Sequence, residues 1–144
     1  MKAEPFVIER TLNAPSQKVW EAITDKDKMK QWYFDLSDFK PEIGFEFTFP
    51  GKGNEGQDYT HLCKITKVEP GKLLQYSWQY KNYPGKSYVT FELLPEGDTT
   101  KLKLTHEGLE TFPKSDPNFA KESFAKGWSH ILGTSLKTFL EKSD

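Results

Sequence analysis

The chain has 144 residues and a net charge of −1, with 20 Lys and Arg interspersed among 21 Asp and Glu. That balance leaves no basic face to track phosphates and no polybasic run for an anionic membrane, so nucleic acid and membrane are not expected partners. Aromatic residues make up 15% of the chain while all hydrophobic residues reach only 35%, so large flat side chains must carry much of the burial, and they leave irregular space more readily than aliphatic ones.

The length suits one domain, residues 1–144, with no internal repeat to divide it. The start MKAEPFVIERT lacks the apolar core of a signal peptide, no run approaches a membrane span, and no Asn-x-Ser/Thr sequon occurs. A cytoplasmic location is expected. Cys63 stands alone, so an internal disulfide is ruled out.

Residues Phe6 to Leu12 read as a first strand. Ala14-Pro15 opens a short helix with Val19, Trp20 and Ile23 on one face, and Thr24 or Asp25 caps a second helix that buries Met29 and Trp32. Phe45, Phe47 and Phe49 alternate with polar residues in a strand that ends at Pro50-Gly51. Three strands follow, Tyr59 to Val68, Leu73 to Tyr80 and Lys86 to Leu94, separated by Glu69-Pro70-Gly71 and Asn82-Tyr83-Pro84-Gly85. After the turn Pro95-Glu96-Gly97-Asp98 comes a last strand, Lys101 to His106. A loop around Pro113 and Pro117 then leads into a long helix from about Phe119 to Leu140, whose stripe of Phe124, Trp128, Ile131, Leu132, Phe139 and Leu140 must cover something.

The order β-α-α-β-β-β-β-β-α predicts an α+β domain with one helix laid across a curved antiparallel sheet. Period two sets the faces: Leu74, Tyr76, Trp78 and Tyr80 point one way, with Val89, Phe91 and Leu93 and with Leu102, Leu104 and His106 as their counterparts on later strands.

Several segments, taken in this order, resemble the START-like superfamily, also called SRPBCC or helix-grip, and its branch related to the activator of heat-shock protein 90 ATPase. They are Ala14-Pro15 through Val19-Trp20-Glu21-Ala22-Ile23-Thr24-Asp25, Trp32-Tyr33, Leu74-Gln75-Tyr76-Ser77-Trp78, Val89-Thr90-Phe91-Glu92-Leu93, Leu102-Lys103-Leu104-Thr105-His106-Glu107-Gly108, and Gly127-Trp128 with Leu132 and Leu136. The resemblance implies a helix-grip fold whose cavity, in many relatives, takes lipids, sterols, polyketides or other apolar small molecules. The chaperone activators have a separate N-terminal domain largely responsible for stimulation, and this chain resembles only their C-terminal domain. No catalytic set carries over, because the superfamily's enzymes use polar residues that differ from group to group.

Other motifs resolve into ordinary roles. Gly51-Lys52-Gly53-Asn54-Glu55-Gly56 has G-x-G-x-x-G spacing, but it leads into a strand and not a helix, so it reads as a hairpin loop able to gate a cavity mouth. His61 and Cys63 share a strand face, and even with His106 they fall short of a metal site, so no metal or cofactor is expected. No G-x-S-x-G elbow occurs, and Ser129 and His130 diverge on their helix, leaving His130 as a surface residue. Strand parity puts His106 inside. Trp20 reads as core filler, whereas Trp78 and Trp128 are set as floor and roof of a pocket, with Gly127 and Gly133 marking close approach, a bend or free space.

The expected function is binding of an apolar or aromatic small molecule between the closing helix and the sheet. Phe47, Tyr76, Trp78, Phe91, Phe124, Trp128 and Ile131 would bury it, and Tyr80, His61 or His106 would orient it. The alternatives are a cyclase, dehydratase or hydrolase acting on such a molecule, and a module whose partner is a chaperone. The chain is expected as a monomer or homodimer.

Overall fold

Alternation of large apolar and polar residues becomes a six-stranded antiparallel sheet in the computed structural model, which describes residues 5–33, 36–52, 58–113 and 121–142. The strands are β1 (Phe6–Leu12), β2 (Glu46–Lys52), β3 (Asp58–Glu69), β4 (Leu73–Tyr80), β5 (Ser87–Glu96) and β6 (Thr99–Glu107). Their order across the sheet is β1-β6-β5-β4-β3-β2. The first strand therefore pairs with the last, and helices α1 (Ser16–Thr24) and α2 (Lys26–Trp32) carry the chain from one sheet edge to the other.

Each short helix has a local cause. Asp25 caps α2 by accepting from the backbone N–H groups of Asp27 at 2.9 Å and Lys28 at 3.3 Å, a contact worth about 1 kcal/mol. Trp32 Nε1 donates to the Ala22 carbonyl at 2.9 Å and ties α2 to α1. On α1 the buried residues are Val19, Ala22 and Ile23; Trp20 is only half-buried against the core, so it is not the central filler its neighbours suggested.

Two strand ends differ from the sequence reading. β2 continues through Pro50 and Gly51, pairing them with Thr60 and Tyr59; β2 is an edge strand, where a residue without an N–H is tolerated. The β5–β6 turn is shorter than the predicted four residues, because Pro95 and Glu96 still pair with Thr100 and Thr99.

The closing helix is not uniform. It begins as α3 (Lys121–His130), loosens into a π-helical segment (Ile131–Leu136) and ends as α4 (Lys137–Lys142); Phe119, the predicted start, lies outside the described residues. Its buried residues are Phe124, Trp128, Leu132, Leu136 and Leu140, each four positions from the last. In a regular α-helix that spacing would rotate the stripe by about 40° per step. The wider π turn, which contains Gly133, unwinds the drift and keeps the stripe on the sheet.

Gly127 has a plainer explanation. It is exposed, and a Cβ there would meet nothing within 4 Å, so no close approach requires it. Gly127→Ala is expected to raise stability by about 0.5–1 kcal/mol in urea unfolding. A loss of stability would mean that the helix depends on that glycine.

Candidate functional site

Between the closing helix and the sheet, the inward faces of β3 to β6 carry hydrogen-bonding groups inside a layer of rings. His106, fully buried near the end of β6, sits at its centre. Trp128 Nε1 donates to His106 Nδ1 at 3.1 Å, and His106 Nε2 lies 2.8 Å from Ser87 Oγ. An indole only donates, so Nδ1 must be bare and Nε2 must carry the proton. Nε2–H then donates to Ser87 Oγ, and the serine hydroxyl donates to the Trp78 carbonyl at 3.1 Å. One relay thus joins the helix, β6, β5 and β4.

His61 on β3 is held in the opposite tautomer. Its Nδ1 lies 3.2 Å from the Phe49 carbonyl, which can only accept, so Nδ1 bears the hydrogen. The imidazole lies flat on Phe49, with centroids 4.4 Å apart and planes 11° apart, and meets the Trp78 ring nearly edge-on at 4.9 Å. A Cβ at Gly51 would collide with this imidazole. The first glycine of the G-x-G-x-x-G spacing is therefore room for His61; residues 53–57, where the expected gating loop falls, lie outside the described residues. Gly51→Ala is expected to cost about 1–3 kcal/mol in urea unfolding by overpacking, and an unchanged midpoint would show that the His61 ring swings aside freely.

In the same layer, the hydroxyls of half-buried Tyr33 and fully buried Tyr76 share a hydrogen bond of 2.8 Å, and Trp78 Nε1 donates to the Tyr80 hydroxyl at 2.8 Å. Burial sets the charge state of the whole assembly. Desolvation pushes the His106 imidazole down to about 3 and the His61 imidazole to about 4, and it raises the Cys63 thiol and both tyrosines, Tyr33 and Tyr76, well above their ordinary values. All these groups are neutral near pH 7. A neutral, buried Cys63 is neither a ready nucleophile nor a ready metal ligand, and no group of three His, Cys, Asp or Glu able to hold a metal occurs among the described residues.

The sequence profile of the Activator of Hsp90 ATPase homolog 1-like protein family matches residues 13–141. The chain belongs to this family. Among solved structures it is similar to protein MLL2253 from Mesorhizobium loti, at 26% identity and a TM-score of 0.76, over 98% of this chain and 99% of that one. Protein CV1439 from Chromobacterium violaceum shares 21% identity with a TM-score of 0.82 over the same proportions. CalU16 from Micromonospora echinospora shares 26% identity with a TM-score of 0.70, over 94% of this chain and 73% of that one. No curated protein matches the sequence. The family's helix-grip architecture is the one described above, an antiparallel sheet crossed by a C-terminal helix.

Nine of the ten residues singled out from the sequence are buried in this layer of the family fold: Phe47, His61, Tyr76, Trp78, Tyr80, Phe91, His106, Phe124 and Trp128. They connect ring to ring, Phe47 to Tyr76 at 5.1 Å, Phe91 to Trp128 at 6.1 Å, His61 to Tyr80 at 4.8 Å and His106 to Phe124 at 5.1 Å. Ile131 is only partly buried, at the start of the π segment. The floor-and-roof arrangement needs correction. Trp78 and Trp128 touch, with centroids 5.6 Å apart, so no open slab separates these two rings.

Three members of the layer escaped the sequence reading. Phe49 shares the parity of Phe47 and could have been included on that ground; Ser87 shares the parity of Val89 and Phe91 but fell at the assumed strand end. Tyr33, just past α2, carried no periodic signal. Its ring packs against Phe49 at 5.8 Å and Trp128 at 6.1 Å. His130 is exposed, as its helical position predicts.

Proposed function

We propose that this domain binds an apolar or aromatic small molecule in the layer between its closing helix and its sheet. The observation that carries the reading is the concentration of neutral polar groups among aromatic rings at that one level, which offers a small molecule both rings to pack on and partners for its polar atoms. Membership of the family adds weight, since the resemblance implies that many relatives take apolar small molecules between this helix and the sheet. Because the Trp78 and Trp128 rings touch, a molecule placed between them would have to part these two rings.

An enzyme acting on such a molecule would need a convergent acid and base that exchange protons near neutral pH. Burial pushes the His61 and His106 imidazoles down and the Tyr33 and Tyr76 hydroxyls up, away from that range, which favours the binding reading over the enzyme one. A chaperone-docking module would use an exposed patch on the closing helix or on the outer sheet face. There the exposed Val7 and Leu94 are separated by the Glu9-Lys103-Glu92 row, which breaks any continuous apolar patch between them. No helix among the described residues is long and apolar enough to cross a membrane.

Native mass spectrometry of protein purified from its own host tests the proposal. A retained small organic mass is expected, with occupancy reduced about tenfold or more in Trp78→Ala and Trp128→Ala, and Trp128→Phe serves as a second, better-packed variant. A bare protein would overturn the proposal, and a retained mass indifferent to every one of these substitutions would place binding elsewhere.

A further inference from the structure

The two edges of the sheet are finished differently. At the β2 edge Pro50 has no N–H, and Ser37 occupies both backbone groups of Thr48: the Ser37 N–H donates to the Thr48 carbonyl at 2.9 Å, and the Thr48 N–H donates to Ser37 Oγ at 3.1 Å. The β1 edge has no such cover among the described residues. All 7 residues of β1 pair with β6 in one unbroken register, without proline, glycine or bulge, so alternate N–H and C=O groups of this strand point away from the sheet. Val7, Glu9, Arg10 and Thr11 are exposed along it.

We infer that β1 is the docking edge for a second copy of this chain, the two β1 strands pairing antiparallel about a twofold axis at Ile8 and joining the two sheets into one. In such a pair, directly opposite residues share a face, so the possible registers differ in which residue meets its own copy. The register that uses the whole of β1 sets Glu9 against Glu9, and the next sets Arg10 against Arg10. Both bring like charges together, which is destabilising. Centring on Ile8 avoids this and pairs residues 5–11, whereas centring on Val7 shortens the described pairing to residues 5–9. In the Ile8 register the exposed Val7 lies opposite Glu9 of the second copy on the outer face. On the inward face the partly buried Phe6 lies opposite Arg10 of the second copy, a cation–π pair. Arg10 is free to serve it. Gly133 of the closing helix stands over Arg10, and its missing side chain leaves room for the arginine; among the described residues the guanidinium's one hydrogen bond goes to the adjacent Glu9 carbonyl, at 2.8 Å.

Sedimentation velocity of the full chain between about 1 μM and about 1 mM tests the inference. A monomer–dimer equilibrium is expected, with a dissociation constant on the order of 10–100 μM because edge pairing buries less than a standard interface. Val7→Lys sets opposite charges across the Val7–Glu9 pair, which occurs twice, and should tighten the dimer about fivefold; Val7→Glu sets two carboxylates there and should weaken it about fivefold. Leu94→Lys and Leu94→Glu make the same changes of net charge at an exposed position on β5, away from the edge, and should leave the constant unchanged. Backbone amides of β1 should exchange more slowly at high than at low concentration, with those of β2 unaffected. A monomer throughout the range overturns the inference. A dimer indifferent to both Val7 variants, or shifted as much by the Leu94 pair, forms elsewhere and overturns it too. Val7→Glu tightening and Val7→Lys weakening the dimer would refute the Ile8 register.

Discussion

Trp128→Ala is expected to lower the unfolding free energy by about 3–5 kcal/mol. The indole touches Trp78 at 5.6 Å, Tyr33 and Phe91 each at 6.1 Å, and donates to His106, so truncation removes the ring that ties α3 to three strands and to the segment just past α2. The loss has two parts. Transfer of a large aromatic surface back to water is one, and the cavity left among rigid rings is the other. Trp128→Phe separates these from the hydrogen bond: it keeps a ring but leaves the bare Nδ1 of His106 without a donor, for a smaller loss of about 1–3 kcal/mol. Urea unfolding of both variants checks the ranking. A loss below about 1 kcal/mol in the alanine variant would mean that the closing helix is held chiefly by Leu132, Leu136 and Leu140.

Acidification produces the second large effect. Free histidine in an unfolded chain titrates near 6.5, whereas His61 and His106 in the fold are pushed down to about 4 and about 3. Between those values the unfolded chain binds more protons than the folded one, so stability is fully present above about pH 6.5 and falls as the pH drops. By about pH 5 each ring contributes a loss on the order of 2 kcal/mol. The decline continues to about 4 for His61 and to about 3 for His106. The geometry gives the same sign: a second proton on His106 would have to sit on Nδ1, the position that accepts from Trp128 Nε1. Urea midpoints between about pH 7.5 and 5 should fall steadily, and His61→Gln should flatten part of that slope. Constant midpoints over this range would show that the two imidazoles are not neutral in the fold.

Much of the architecture was legible because burial follows period two in the strands. β1 spans the predicted Phe6 to Leu12, and the inward set Leu102, Leu104 and His106 on β6 falls where alternation places it. His106 was legible as an inside residue, but its partners were not. Ser87 and Trp128 lie 19 and 22 residues away, on elements whose approach only packing decides. The π segment was equally hidden. Its signal is the run of buried positions spaced by four, which an ordinary α-helical stripe of threes and fours masks when Ile131 and Phe139 are counted in it. Gly51 shows the converse case, a residue that draws attention through a phosphate-loop spacing and turns out to clear space for a histidine ring on the neighbouring strand.

The central claim is that a small apolar or aromatic molecule is received between the closing helix and the sheet, and the indole N–H resonances of the four tryptophans report on it directly. Trp78 and Trp128 donate to Tyr80 and His106 within the layer, whereas Trp32 donates to the Ala22 carbonyl in α1. On titration with 2-naphthamide, the Trp78 and Trp128 signals should shift together and saturably while that of Trp32 stays nearly fixed. Shifts confined to Trp20 or Trp32, or four unmoved indole signals at saturating probe, would contradict the account.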